Sequence, residues 1–273
     1  MLSAPPALIA TDVDGTLLNG EDRITRRTRD AIQAAVADGT QFVLATGRPP
    51  RWITPVVEEL GFAPMTVCAN GAVIYDAATD RVISASTLSV DLLAELAEIA
   101  LRVVPSAGLA AERVGRSAHD SATPQFVSAP GYEHAWLNPD NTEVSFEDVL
   151  SAPAVKLLVR KPGVPSSQLA AILTKHVGVL GDITYSTNDG LVEISPIGIS
   201  KAIGLQEVTR PLEISAQNTV AFGDMPNDVP MLLWAGHGVA MGNAHPDAVE
   251  AANEVTGSND DDGLARVLER WWR

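Results

Sequence analysis

The sequence predicts an α/β fold: a parallel-sheet core with helices on both faces, and an α+β domain inserted into it. Three observations carry that expectation. Short apolar runs alternate with amphipathic stretches at both ends of the chain, the rhythm of a parallel sheet covered by helices. The rhythm breaks near Val82 and resumes at Lys201. Residues able to do chemistry fall at the ends of predicted strands, where open α/β sheets form their sites.

The first run, Ala7-Leu8-Ile9-Ala10, is too short for a helix and too apolar for a solvent-facing loop, so it reads as a buried strand. It leads into Asp12-Val13-Asp14-Gly15-Thr16, where Gly15 frees the backbone to turn. On a regular strand residues i and i+2 share a face, so Asp12 and Asp14 are expected to point the same way. Like charges that close repel unless a cation or a proton lies between them. Asn19-Gly20 marks a tight turn. A helix follows from about Thr25, its cap, to about Ala37, closed by Gly39. Gln41 to Thr46 is a second strand. Trp52, Ile53, Val56, Val57 and Leu60 recur on one helical face ending at Gly61, and Pro55 delays the regular helix. Thr66 to Ala69 is a third strand, delivering Asn70-Gly71.

Beyond Val82, Leu92, Leu93, Leu96, Ile99 and Ala100 mark a helix capped near Ser89. Pro105 to Pro153 shows no stable period. Val155 to Val159 reads as a strand, Ser166 to Val177 as a helix, and Ile183 to Tyr185 and Leu191 to Ile194 as further strands. From Lys201 to Val208 a helix capped by Ser200 restores the α/β rhythm. Thr219 to Phe222 is a strand ending at Gly223-Asp224, Asp228 to Trp234 is helical, Val239 to Met241 is a strand and Pro246 to Ala252 a helix. Leu264, Val267, Leu268 and Trp271 sit at helical spacing, which assigns the tryptophan to packing. Asn259-Asp260-Asp261-Asp262-Gly263 lacks the spacing and terminal Glu of an EF-hand, so it reads as a solvated turn capping that helix.

Bulk properties narrow the function classes. A chain of 273 residues, 46% hydrophobic and 19% charged, is that of a soluble globular protein of one large or two ordinary domains. The single cysteine, Cys68, has no internal partner, which favours a reducing, cytoplasmic setting. No basic segment precedes an apolar stretch as in a secretory signal. No run approaches the roughly 20 apolar residues of a membrane span, so no membrane partner is expected. A net charge of −15 argues against nucleic acid. An acidic protein handling phosphate needs local positive charge, and Lys201 and Arg48 offer it. The five histidines form no metal-ligand pattern, and the P-loop, Gly-x-Gly-x-x-Gly and Gly-x-Ser-x-Gly motifs are absent.

Asp12-Val13-Asp14-Gly15-Thr16, Ala45-Thr46-Gly47-Arg48, Asn70-Gly71, Ile199-Ser200-Lys201 and Gly223-Asp224-Met225-Pro226-Asn227-Asp228 occur in that order. Together they resemble the haloacid dehalogenase-like superfamily of aspartate-nucleophile phosphohydrolases, and within it the Cof-type branch (subclass IIB, with a C2-type cap). The resemblance covers the two ends of the chain well and the middle poorly. It implies a Rossmann-like core over residues 1–82 and 189–273, with an α+β cap over 83–188 that closes on the site and chooses the substrate.

The same resemblance implies roles. Asp12 would be the nucleophile, forming an aspartyl-phosphate, and Asp14 the general acid and then base. Asp12, the backbone carbonyl of Asp14, and Asp224 would hold Mg²⁺, as hard oxygen ligands suit that ion. Thr46, Gly47, Lys201, Asn70 and Asn227 would line the phosphate pocket. Asp228 would orient a metal-bound water or hold Lys201. Two alternatives stay open: Asn70 contacts substrate or tolerates a turn, and Arg48 touches phosphate or makes a structural ion pair. The expected activity is a Mg²⁺-dependent phosphatase for small phosphorylated metabolites, sugar phosphates foremost. A phosphomutase or phosphotransferase on the same scaffold, or a non-catalytic sugar-phosphate-binding protein, are the competing readings. Oligomeric state is left open.

Overall fold

The computed structural model describes residues 4–120, 124–135 and 138–272, and these include every candidate site residue. The chain divides into two units. One is formed by the chain up to Ile83 together with the chain from Ser200 onward; the other is Ser84–Ile199.

In the first unit, β1 (Leu8–Thr11) is buried along its whole length. The chain then turns irregularly through Val13–Leu17 and reaches α1 (Arg26–Ala37), where the Thr25 hydroxyl accepts the N–H of Thr28 at 3.2 Å. A cap of this kind contributes about 1 kcal/mol. Next come β2 (Gln41–Ala45), α2 (Thr54–Leu60, closed by a left-handed Gly61), β3 (Met65–Cys68), β4 (Val73–Asp76) and β5 (Arg81–Ala85).

The inserted unit begins with α3 (Val90–Val103), capped by Ser89, and continues through β6 (Gly108–Glu112), β7 (Phe126–Ser128), β8 (Asn141–Glu143) and α4 (Phe146–Val149). It closes with β9 (Lys156–Arg160), α5 (Ser166–Val177), β10 (Asp182–Thr184) and β11 (Leu191–Ser195). Among the described residues these strands form one sheet in the order β10-β11-β9-β6-β7-β8, antiparallel except for β7 with β8. Leu93, Leu96 and Ala100 of α3 and Leu169 and Leu173 of α5 bury one face of it against Leu109, Leu157, Val159, Val192 and Ile194. The expected return to the core at 189 is therefore corrected. Leu191 pairs with Arg160 and Ile194 with Ile183, so β11 belongs to the inserted sheet and the boundary falls at Ser200.

The core resumes with α6 (Lys201–Thr209), β12 (Thr219–Gly223), α7 (Val229–Trp234), β13 (His237–Ala240), α8 (Pro246–Ala251), β14 (Glu254–Val255) and α9 (Gly263–Leu268). Its sheet runs β14-β13-β12-β1-β2-β3-β4-β5. The strands are parallel from β14 through β3, and β4 lies antiparallel to β3, so the sheet is mixed at that edge. On one face Leu8, Ala10, Val43, Val67 and Ala221 meet Leu205 and Val208 of α6 and Met231 and Leu232 of α7. α1 and α9 pack together and α1 lies against β2.

Two smaller expectations change. Helix α9 stops at Leu268, and the buried tryptophan is Trp272, whose indole N–H donates to Asp38 at 3.0 Å. The acidic turn 259–262 supplies no side-chain cap to α9. Its carboxylates instead accept from Gly20 and Thr25, near the other end of the chain.

Candidate active site

Four of the candidate side chains sit just past the carboxyl ends of core strands. Asp12 follows β1, Thr46 follows β2, Asn70 lies shortly after β3, and Asp224 follows β12. Lys201 starts α6, where Ser200 caps the helix by accepting the N–H of Ile203. α6 lies so close to β3 that a Cβ on Gly204 would sit 2.4 Å from Val67 Cγ1. This close seat brings the helix N-terminus to the same edge as the acids.

There the Lys201 ammonium, 0% exposed, lies 2.6 Å from Asp12 Oδ1 and 2.5 Å from Asp228 Oδ1. Asp228 Oδ2 accepts the backbone N–H groups of Asp224 and Met225, both at 2.9 Å. Asp224 Oδ1 accepts the Thr16 hydroxyl at 2.9 Å. Carboxylate oxygens of Asp12, Asp224 and Asp228 lie within 4.8 Å of one another. Gly15 makes room: it has φ +72°, and a Cβ there would lie 2.4 Å from Asp224 Oδ2.

The charge balance is lopsided. Burial holds the Asp12 carboxyl well above the usual carboxylate range; Lys201 opposes this, while Asp228, Asp224 and Asp14 add to it. Burial, then the charge of Asp228, pushes Asp224 up to about 7, against the Thr16 hydroxyl. For Lys201, burial works against the ammonium, yet Asp12 and Asp228 outweigh it and hold the group above its ordinary value. Three buried acids thus face one buried ammonium, a cluster that calls for further positive charge.

The donor set fits a hard divalent cation. Both oxygens of Asp228 are engaged, so it anchors Lys201 and the 224–225 backbone rather than offering itself as a ligand. Among the described residues Asp12 Oδ2 and Asp224 Oδ2 keep no hydrogen-bond partner. The buried Asn227 Oδ1 is likewise unpaired.

Asp14 departs from the strand expectation. β1 ends at Thr11, and the turn carries Asp14 outward until its side chain is 57% exposed. Arg48 grips its carboxylate with Nη2 at 2.6 Å and Nε at 3.0 and 3.2 Å, forming a forked ion pair. Thr46 is fully buried, and its hydroxyl oxygen accepts the Arg48 N–H at 3.0 Å, tightening the loop through Gly47. Asn70 adopts a left-handed turn (φ 58°) and accepts from Asn227 Nδ2 at 3.0 Å. Thr16 was not among the expected site residues; its place in the turn beside the acids was the available signal.

The largely parallel sheet gathers three buried acids around a lysine at its carboxyl edge, an α/β site built for an anionic ligand and a cation. Comparison with known proteins gives the family. The family model described as haloacid dehalogenase-like hydrolase matches residues 9–268. The putative phosphatase YxeH of Bacillus subtilis is 31% identical over 266 residues, covering 96% of each chain. The 5-amino-6-(5-phospho-D-ribitylamino)uracil phosphatase YcsE of the same organism is 30% identical, covering 97% of this chain and 95% of its own. A solved haloacid dehalogenase-like hydrolase from Bacteroides thetaiotaomicron superposes with a TM-score of 0.73 at 26% identity, covering 96% and 98%. The chain belongs to the haloacid dehalogenase-like hydrolases, in their Cof-type branch.

Proposed function

We propose that this protein is a Mg²⁺-dependent phosphatase that hydrolyses small phosphomonoesters, sugar phosphates foremost, through an aspartyl-phosphate on Asp12. The observation that carries this reading is the position of Lys201 between Asp12 and Asp228, which leaves one Asp12 oxygen unbonded. The family and the phosphoribityl substrate in the name of YcsE support the substrate class.

In the first half-reaction Asp12 Oδ2 attacks phosphorus in line with the ester oxygen. The P–O bond to the alcohol breaks, and Asp14 gives that oxygen its proton. In the second, the Asp14 carboxylate takes a proton from water whose oxygen attacks the acyl phosphate, releasing inorganic phosphate and restoring Asp12. Lys201 fixes the spare Asp12 oxygen and balances its charge. Thr46, Gly47, Asn70 and Asn227 are assigned to the phosphate pocket. Arg48 holds the Asp14 side chain in a forked ion pair that must open for the acid step. Asp12, Asp224 and the Asp14 carbonyl would hold Mg²⁺, whose charge lets an anionic ester approach an acidic site.

Choice among esters is assigned to the insert. Replacing Ser84–Ile199 by the matching segment of a relative with a different preference should transfer that preference. The central test is a panel of phosphomonoesters with Mg²⁺ for wild type and Asp12→Asn. Release of inorganic phosphate that EDTA abolishes and the variant lacks is expected. Undiminished turnover by Asp12→Asn removes the proposed nucleophile.

A further inference from the structure

The acidic turn near the C-terminus has no part in the chemistry above, yet it is bound to the segment that carries Asp14. The carbonyl of Gly15, the next residue, accepts Asn243 Nδ2 at 2.8 Å. Asn243 Oδ1 accepts the backbone N–H of Asn259 at 3.1 Å, and Asn259 Nδ2 donates to the Leu18 carbonyl at 2.8 Å. Outside this pair, the Gly20 N–H donates to Asp260 at 2.7 Å and the Thr25 hydroxyl to Asp262 at 2.5 Å.

Asn243 is itself held rigidly. It follows β13 in a turn where the Met241 N–H donates to the Gly223 carbonyl at 3.0 Å and the Gly242 N–H to the Gly257 carbonyl at 2.9 Å. A Cβ on Gly242 would lie 2.8 Å from the Ser258 nitrogen. The reach of the Asn243 amide is thus set by backbone wedged between the end of β12 and residues 257–258.

The Asp14 turn needs such support. Asp14 (φ −79°, ψ 126°) and Gly15 (φ 72°, ψ 0°) lie in neither helix nor ladder, so regular backbone bonding does not fix them. The Asp14 side chain is gripped only by Arg48 among the described residues. A turn free to rotate would let the carboxylate follow Arg48.

We propose that Asn243 and Asn259 form a relay that positions the Asp14 turn for proton transfer. The relay joins the end of β13 and the C-terminal acidic turn to the Gly15 and Leu18 carbonyls. Both are positioning residues, and the inference rests on Asp14 being the general acid. An acid matters for an alkyl leaving group, which must depart protonated, and little for p-nitrophenolate, which departs as the anion. A merely structural role would lower both reactions in proportion.

The test compares kcat/KM of the full chain with Mg²⁺ on p-nitrophenyl phosphate and on the hexose phosphate that wild type turns over fastest. Asn243→Ala, Asn243→Asp and Asn259→Ala are measured beside Asp14→Asn. Asn243→Asp keeps the size and the acceptor for the Asn259 N–H while removing the donor to Gly15. Both Asn243 variants should lose about 10- to 100-fold on the hexose phosphate, as an ångström-scale misplacement does, and under about threefold on p-nitrophenyl phosphate. Asn259→Ala should shift the ratio the same way by less. If Asp14→Asn shows the leaving-group difference and the Asn243 variants lower both substrates equally, or neither, the relay is overturned. If Asp14→Asn shows no such difference, the assignment of Asp14 as acid fails, and the relay falls with it.

Discussion

Replacing Lys201 by Met removes the ammonium while keeping most of the side-chain volume, in a site where no other basic side chain among the described residues pairs with Asp12 or Asp228. The ammonium is fully buried and makes charge-assisted bonds of 2.6 and 2.5 Å to Asp12 and Asp228. Breaking a buried pair from one side costs about 3–5 kcal/mol, because the partner charges stay behind unpaired. For a protein of this size each kcal/mol lowers Tm by about 2–4 °C, so a fall of roughly 6–20 °C is expected in EDTA. The loss should depend on pH with a definite sign. Asp12 and Asp224 are already held above their ordinary values, so the folded state binds their protons more tightly than the unfolded state does. Between the ordinary and the raised value, lowering pH therefore stabilises the fold. Without Lys201 those carboxyls rise further, so the variant should recover part of its lost Tm on moving from pH 8 to pH 5.5. Scanning calorimetry of both proteins at both pH values reads the effect. A loss under about 1 kcal/mol, or one equal at the two pH values, refutes the claim that Lys201 balances buried charge.

Other outcomes follow from the same geometry. With Asp224 at about 7, a divalent cation must displace a proton below that pH, so the apparent Kd for Mg²⁺ should be roughly tenfold weaker at pH 6 than at pH 8; thermal-shift titrations would show it, and a pH-independent Kd would remove Asp224 as a ligand. Gly15→Ala puts a methyl where Asp224 Oδ2 lies and strains a positive φ, so turnover should fall at least about 100-fold with weaker Mg²⁺ binding, both read in a standard phosphate-release assay and titration. Arg48→Lys replaces a forked grip on Asp14 by a point charge, so the kcat of phosphate release should change while circular dichroism stays that of wild type. Thr25→Ala removes a helix cap and the hydroxyl bond to Asp262 together, and should cost at least about 1 kcal/mol in urea unfolding.

What the sequence disclosed was mostly local. Thr25, Ser89 and Ser200 announce their helices because a cap is a contact over a few residues, and all three accept the N–H expected of them. β6, Gly108-Leu-Ala-Ala-Glu, gave no signal: small residues buried on both faces leave neither alternation nor β-branched enrichment to read. Lys156 and Glu193 lie buried 2.7 Å apart in neighbouring strands, a pairing that exists only once the register is known. The insert boundary slipped for a related reason, since the apolar run of β11 suits either sheet. At the site, the motif order brought out Asp12, Lys201, Asp224 and Asp228 together: Asp12 and Asp224 follow strand ends of the core sheet, Asp228 lies in the turn after β12, and Lys201 opens α6. Asn243 obeys the same rule, following β13, and could have been singled out by it. Asn259 could not, as its meaning depends on a turn more than two hundred residues away in sequence.

The exposure of Asp14 contrasts with the burial of Asp12, and the contrast suits the roles proposed for them. A nucleophile held against a buried lysine gains a fixed direction of attack, since one oxygen is pinned and the other is left unbonded. A group that must give a proton and then take one needs access to solvent and freedom to exchange partners. The turn separates these demands within a few residues: β1 has ended at Thr11 and the irregular backbone carries Asp14 outward, while the missing side chain of Gly15 leaves room for Asp224. The acid cluster raises the free energy of the cation-free fold, and a bound cation would lower it. Stability and chemistry are therefore coupled through the same carboxylates, and any substitution that eases the charge crowding should make the protein more stable without metal and less responsive to it.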